Sequence, residues 1–208
     1  MNRLLKWTVF IITFCGLTGC GAYTKISSST NPTYQGKQYK SLLVEARDHD
    51  GNQILGLEWT FRRKMDTPSL LVFSSSDLFD RQKNYTHEEK VKMLKERKIE
   101  AVLLINLDRA YTKSTYHPPT VSTSQVKNKK TGLVEVKTTT TDGYTSSTSY
   151  QKHTLILLDG QDLKPVWTSS ASTSGDDSSS DMQDFYNALA NAAIKSLRKD
   201  GLVFIPEK

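Results

Sequence analysis

Apolar residues along this chain fall into short, separated segments whose internal spacing differs. Residues 41–46 (Ser-Leu-Leu-Val-Glu-Ala) form a brief apolar run and predict a buried strand. Asp48-His49-Asp50-Gly51-Asn52 follows as turn chemistry. Ile54, Leu57, Phe61 and Met65 then recur at helical spacing, which predicts an amphipathic helix over residues 53–65. After Pro68, residues 70–73 predict a second short strand. Thr86-His87-Glu88-Glu89 has the pattern of a capping box, with Thr at the N-cap and Glu at N3. Val91 and Leu94 give the following helix its apolar face. Lys95, Arg97 and Lys98 close it at the end where the helix dipole favours cations. Residues 101–107 (Ala-Val-Leu-Leu-Ile-Asn-Leu) read as a strand buried on both faces. The order β-α-β-α-β predicts parallel strands joined by right-handed crossovers.

From residue 109 the pattern changes. Residues 109–152 are rich in Thr and Ser, with Pro118-Pro119 and turn signals at 128–132 and at Asp142-Gly143. Thr favours strands, so long, polar, exposed hairpin strands are predicted there. Residues 153–158 (His-Thr-Leu-Ile-Leu-Leu) return to a core strand, 159–163 turn the chain, Val166-Trp167-Thr168 opens the next strand, and 175–180 is a polar loop. Phe185, Leu189, Ala193 and Leu197 follow at i, i+4 steps on a helix over about residues 181–199, with Gly201 as its stop. The predicted fold class is α/β (α+β). It is a mixed β-sheet with a βαβαβ start, a Thr/Ser-rich hairpin insertion over about residues 109–152, and a C-terminal helix packed on the sheet. Residues 39–206 make one domain.

The amino terminus follows a different logic. Arg3 and Lys6 precede an apolar run from Trp7 to Leu17. That run is too short for a hydrocarbon core needing about 20 apolar residues, so residues 1–19 read as a secretory signal. Leu17-Thr18-Gly19-Cys20 resembles the lipobox of bacterial lipoprotein precursors. The resemblance implies cleavage between Gly19 and Cys20, an S-diacylglycerol on Cys20 and an acyl chain on its new amine, an anchor that holds essentially permanently. Cys15 leaves with the signal and Cys20 is consumed by lipid, so the mature chain keeps no thiol for a disulfide or a metal. Gly21 follows where an Asp resembles the inner-membrane retention signal, which implies the outer membrane, facing the periplasm. Residues 20–38 have no apolar period and read as the lipidated cysteine and a flexible tether, with a reach of about 23 Å.

Composition narrows the function. A mean hydropathy of −0.50 excludes a multi-spanning membrane protein. The net charge of +6 falls to +4 once Arg3 and Lys6 leave, well short of a nucleic-acid-binding signature. His49, His87, His117 and His153 stand at no metal-ligand spacing, and Asp48-His49-Asp50-Gly51 fails the calcium-loop pattern, so no metal and no cofactor is expected. No nucleophile elbow, phosphate-binding loop or dinucleotide fingerprint occurs. Serines cluster at 27–29, 74–76 and 178–180 in loop-like settings, and nothing places Glu45 beside Glu58. No catalytic residue is assigned. The insertion is instead basic and aromatic, with Tyr111, Tyr116, Tyr144 and Tyr150 among Lys113, Lys127, Lys129, Lys130, Lys137 and Lys152. Tyr111, Tyr116, Lys129, Lys130, Tyr144 and Tyr150 are the candidate partner surface. The alternative is a solvated strand surface protected by lysines.

Taken together, the lipobox, the βαβαβ start, the Thr-rich insertion, the Leu-Leu-Asp…Val-Trp hairpin and the final Ala-rich helix resemble a group of bacterial outer-membrane lipoproteins. Their α/β domain is similar to the amino-terminal domain of TolB, to the lipoprotein activator of penicillin-binding proteins and to the curli-secretion lipoprotein. The resemblance covers about residues 40–204. It implies a membrane-anchored, non-catalytic module that binds an envelope protein or assists envelope assembly. The alternatives are a subunit of a secretion or transport assembly, or a periplasmic enzyme. A transmembrane barrel is disfavoured, because residues 121–127 and 134–150 place Ser, Thr or Lys at most alternate positions where a spanning strand needs an apolar face.

Overall fold

A computed structural model describes residues 21–47, 49–80, 83–127, 132, 134–176 and 181–206. Eight strands and four helices are described: β1 (Tyr23–Thr30), β2 (Ser41–Arg47), α1 (Gly51–Met65), β3 (Leu71–Ser74), α2 (Ser75–Leu78), α3 (His87–Glu96), β4 (Ala101–His117), β5 (Thr120–Lys127), β6 (Val134–Thr141), β7 (Tyr144–Asp159), β8 (Pro165–Asp176) and α4 (Met182–Lys199). Six strands form one mixed sheet in the order β1-β8-β7-β4-β2-β3, while β5 and β6 pair only with each other. The three apolar runs predicted to be parallel are so: β2 lies between β3 and β4 and pairs with both in parallel. The β7–β8 hairpin adds antiparallel strands on the other side of β4.

Caps set the helix boundaries. Asp50 accepts the Gln53 N–H at 2.9 Å and starts α1. Thr86 and Glu89 close the reciprocal capping box of α3, and Asp181 caps α4. Gly201 follows α4 at φ +72, a left-handed conformation that costs glycine nothing. Leu57, Phe61 and Met65 of α1 and Leu189, Ala193 and Leu197 of α4 pack on one sheet face against Leu42, Val44, Leu103, Ile105, Leu155 and Leu157. Leu94 of α3 and Ile99 cover Leu43, Val102 and Leu104 on the opposite face. Beyond that cluster the second face is open and polar, with Thr168, Ser170 and Ser172 exposed along β8.

The tether is corrected. Residues 23–30 are a sheet strand, β1, paired with β8 from Tyr23↔Ser174 to Thr30↔Trp167. Its side chains are nearly all polar, so periodicity hides it. The backbone ladder and local hydroxyl bonds hold it. Thr24 Oγ1 lies 2.8 Å from Thr173 Oγ1 in the core, and Ser28 donates to Asp200 at 2.8 Å. Asp200 also accepts the buried Trp167 indole N–H at 2.8 Å. Residues 37–39 are fastened as well, since Asp159 accepts from Lys37 Nζ and from the Tyr39 hydroxyl, the latter at 3.0 Å. Two further boundaries move: β4 runs on to His117 without ending at 107, and β8 continues to Asp176 where a loop was expected.

Candidate functional site

The long hairpin insertion exists and is a ribbon. β4 and β7 stay paired far beyond the core, and their register passes without a slip into β5 and β6: Ala110 opposes Gln151, His117 opposes Tyr144, Thr120 opposes Thr141 and Lys127 opposes Val134. From Tyr111 to Lys127 the arm is about 50 Å long at strand rise. Pro118 and Pro119 lack N–H donors and interrupt the ladder opposite Asp142-Gly143. A Cβ on Gly143 would stand 2.6 Å from the Tyr116 hydroxyl and 3.0 Å from Pro119 Cδ, so a larger residue there would have to displace the exposed Tyr116 ring. No described residue of the arm beyond β8 joins the core, and every position from Thr120 to Lys127 is exposed.

Charge is segregated into this arm. Residues 109–152 hold seven Lys or Arg and two Asp or Glu, a net +5, whereas the rest of the chain after residue 20 sums to −1. The pleat sorts the stem further. A bulge between Leu107 and Arg109 reverses which β4 residues face α1 and α4. On the helix side, Thr112 bonds Ser149 and Ser114 bonds Ser147, each at 2.9 Å, on a face with no charged residue from Ala110 to Tyr116. On the opposite side Arg109 and Lys152 stand directly across from each other, and Lys113 follows. Tyr111 stacks on Tyr150 at 5.0 Å, His117 stacks on Tyr144 at 4.5 Å, and the Arg109 guanidinium lies 5.0 Å over Tyr111. Opposed like charges destabilise a ladder, so the Arg109–Lys152 pair suits an anionic contact better than it suits the isolated fold.

Of the residues singled out from sequence, Tyr111, Tyr150 and Tyr144 share this basic face, while Tyr116 points the other way and is 64% exposed. Lys129, Lys130, Gly19 and Cys20 lie outside the described residues.

Two clusters escaped the sequence reading. Glu58 is fully buried, and its carboxylate accepts from the Ala46 N–H at 3.1 Å, the Ser76 N–H at 3.1 Å, the Ser75 hydroxyl at 2.6 Å and the hydroxyls of Ser74 and Ser76. It ties α1 to β2 and to the β3–α2 corner. The serine run at 74–76, read as a loop, is its donor set. Only the position of Glu58 beside the apolar face of α1 hinted at this. Glu45 stands apart, paired with Arg47 at 2.8 Å. His153 is buried and stacks on His49 at 5.4 Å, although 104 residues separate them. Burial first, and then the His49 ring, push the His153 pKa down from 6.5 to about 3, and neither of its ring nitrogens has a hydrogen-bond partner among the described residues. Its imidazole is therefore neutral at physiological pH.

No protein-family model matches the chain, and no curated protein sequence matches it. Among solved structures it is similar to the PelC dodecamer from Paraburkholderia phytofirmans, at 12% identity over 86% of this chain and 98% of that chain, with a TM-score of 0.45. It is likewise similar to lipoprotein GNA1162 from Neisseria meningitidis, at 16% identity over 76% of this chain and 98% of that one, with a TM-score of 0.44.

Proposed function

We propose that this chain is a lipid-anchored protein of the bacterial envelope, held at the outer membrane through Cys20, that works without catalysis by docking other envelope components on its β-arm. The observation that carries the reading is the arm itself. It is a long ribbon that adds nothing to the core beyond β8 yet concentrates the chain's excess positive charge. An isolated two-stranded ribbon is marginal in water, so a segment of this kind is accounted for by a partner, not by folding. Its open strand edges suit β-augmentation, and its tyrosines give amphipathic contact area at low entropy cost. The buried clusters support a non-catalytic reading. The Glu58 carboxylate is occupied by donors on both oxygens, and His153 is shut away from solvent.

The test replaces residues 112–150 by a short Gly-Ser turn, which keeps the Ala110↔Gln151 pair and the whole core. The truncated chain is expected to fold, by circular dichroism, and to stay in the membrane fraction, while its crosslinked partners in intact cells are lost. Retention of the same partners would place binding on the sheet body or on α4.

A further inference from the structure

The start of β1 fixes how the folded body meets a membrane. Only Gly21 and Ala22 separate Cys20 from Tyr23, so an acylated Cys20 lies within about 10 Å of the first residue of the sheet. The registers say what lies at that level. Lys25 opposes Ser172, Ser172 opposes Lys152, and Lys152 opposes Arg109. One step nearer the anchor, Tyr23 opposes Ser174, Ser174 opposes Tyr150, and Tyr150 opposes Tyr111. Directly opposed residues in an antiparallel sheet share a face. Three cations and three tyrosines thus form two adjacent cross-strand rows on the open face of the sheet, and the arm carries the same face onward through Lys113, His117 and Tyr144. Two carboxylates share that face: Asp176, level with Lys113 across Thr148, and Asp108, which accepts from the Thr154 hydroxyl at 2.8 Å one step beyond the cation row.

We infer that this open face lies flat on an anionic lipid surface, with the cation row on the headgroups and the tyrosine row at the interface. The inference rests on the lipid anchor of the proposed function and adds the surface that the anchor presents. Three orientations of the sheet are conceivable once Cys20 is at the bilayer. With the arm pointing away from the membrane, the sheet body behind Tyr23 would have to enter the hydrocarbon. With the arm pointing inward, an open two-stranded ribbon carrying lysines would sit in lipid with unpaired backbone edges, which hydrocarbon does not tolerate. Lying in the plane satisfies both limits. It also relieves the Arg109–Lys152 opposition, since each cation is drawn to an anionic surface, and tyrosine favours the interfacial zone. The hydroxyl face and the ribbon edges remain free for a protein partner.

Thr115 and Ser114 are neighbours on opposite faces, and both are exposed. After Cys20 is acylated, T115C or S114C provides the one free thiol of the mature chain. Each lipidated variant is labelled with an environment-sensitive fluorophore and reconstituted in phosphatidylglycerol-containing vesicles or in phosphatidylcholine alone. The expected result is a several-fold rise in emission for T115C only, on the anionic vesicles only, reversed by 0.5 M salt as charges are screened to a few ångströms. Replacing Lys25, Arg109 and Lys152 together by Gln should abolish it. Equal rises at both positions, or on both lipids, overturn the inference in favour of an inserted assembly. A rise without vesicles overturns it in favour of self-association. No rise on an acylated chain overturns it while the anchor stands, and an unacylated Cys20, read by mass spectrometry, removes anchor and inference together.

Discussion

Acidification should destabilise this protein through His153. In the unfolded chain His153 takes up its proton near pH 6.5, whereas the folded state resists until about pH 3. Between those values protons bind the unfolded chain preferentially. The stabilisation is therefore complete above about pH 7 and is lost as the pH falls. One pKa unit is worth about 1.4 kcal/mol, so the loss is about 2 kcal/mol at pH 5 and on the order of 5 kcal/mol by pH 3. The side chain is 1% exposed, so solvent screening does little to reduce these values. Carboxylates act lower down. Burial raises Asp159, but the bonds from Lys37, Gln161 and Tyr39 outweigh it and hold the group below its ordinary 3.8. The window from pH 6.5 to 5 lies above the carboxylate range, and the His153 variant separates this imidazole from His49 and the other histidines. Urea unfolding followed by far-ultraviolet circular dichroism at pH 8, 6 and 5 measures the effect. His153→Leu has similar volume and nothing to protonate. It should be no less stable than wild type at pH 8, because it removes two buried ring nitrogens without partners, and it should flatten the acid limb by about 2 kcal/mol at pH 5. A variant that loses as much stability as wild type between pH 8 and pH 5 would refute the assignment.

Two other expectations follow from single groups. Glu58→Gln should cost about 1–3 kcal/mol in the same urea assay, since an amide nitrogen in place of either carboxylate oxygen faces a backbone donor, Ala46 N–H or Ser76 N–H. Cys20→Ser should leave the chain unacylated, read as loss of a clickable fatty-acid label in growing cells, and equal labelling of variant and wild type would sink the anchor.

Local pattern settled the parts of this protein that depend on near neighbours. The apolar runs at β2, β4 and β7 exclude water wherever they are placed, the capping box at Thr86–Glu89 closes within four residues, and the i, i+4 stripe of α4 needs one apolar surface to cover it. Three features depended on the partner strand. β1 carries Thr24, Ser28 and Thr30 at positions where a strand normally shows its apolar face, and only β8, equally rich in Ser and Thr, makes its ladder and its Thr24–Thr173 bond available. Glu58 looked like one more polar residue until the chain returned at residues 74–76 with donors enough to solvate a buried carboxylate. The faces of the arm turned on one inserted residue. Strict alternation along β4 would place Tyr111 with Ile105, toward the helices, but the bulge after Leu107 rotates it, with Arg109 and Lys113, onto the open side. Side-chain alternation is a property of the strand, whereas a bulge is a property of the pair, because it exists only where two residues oppose one. The tyrosines and lysines were therefore visible in the sequence, and which of them share a surface was decided by tertiary pairing.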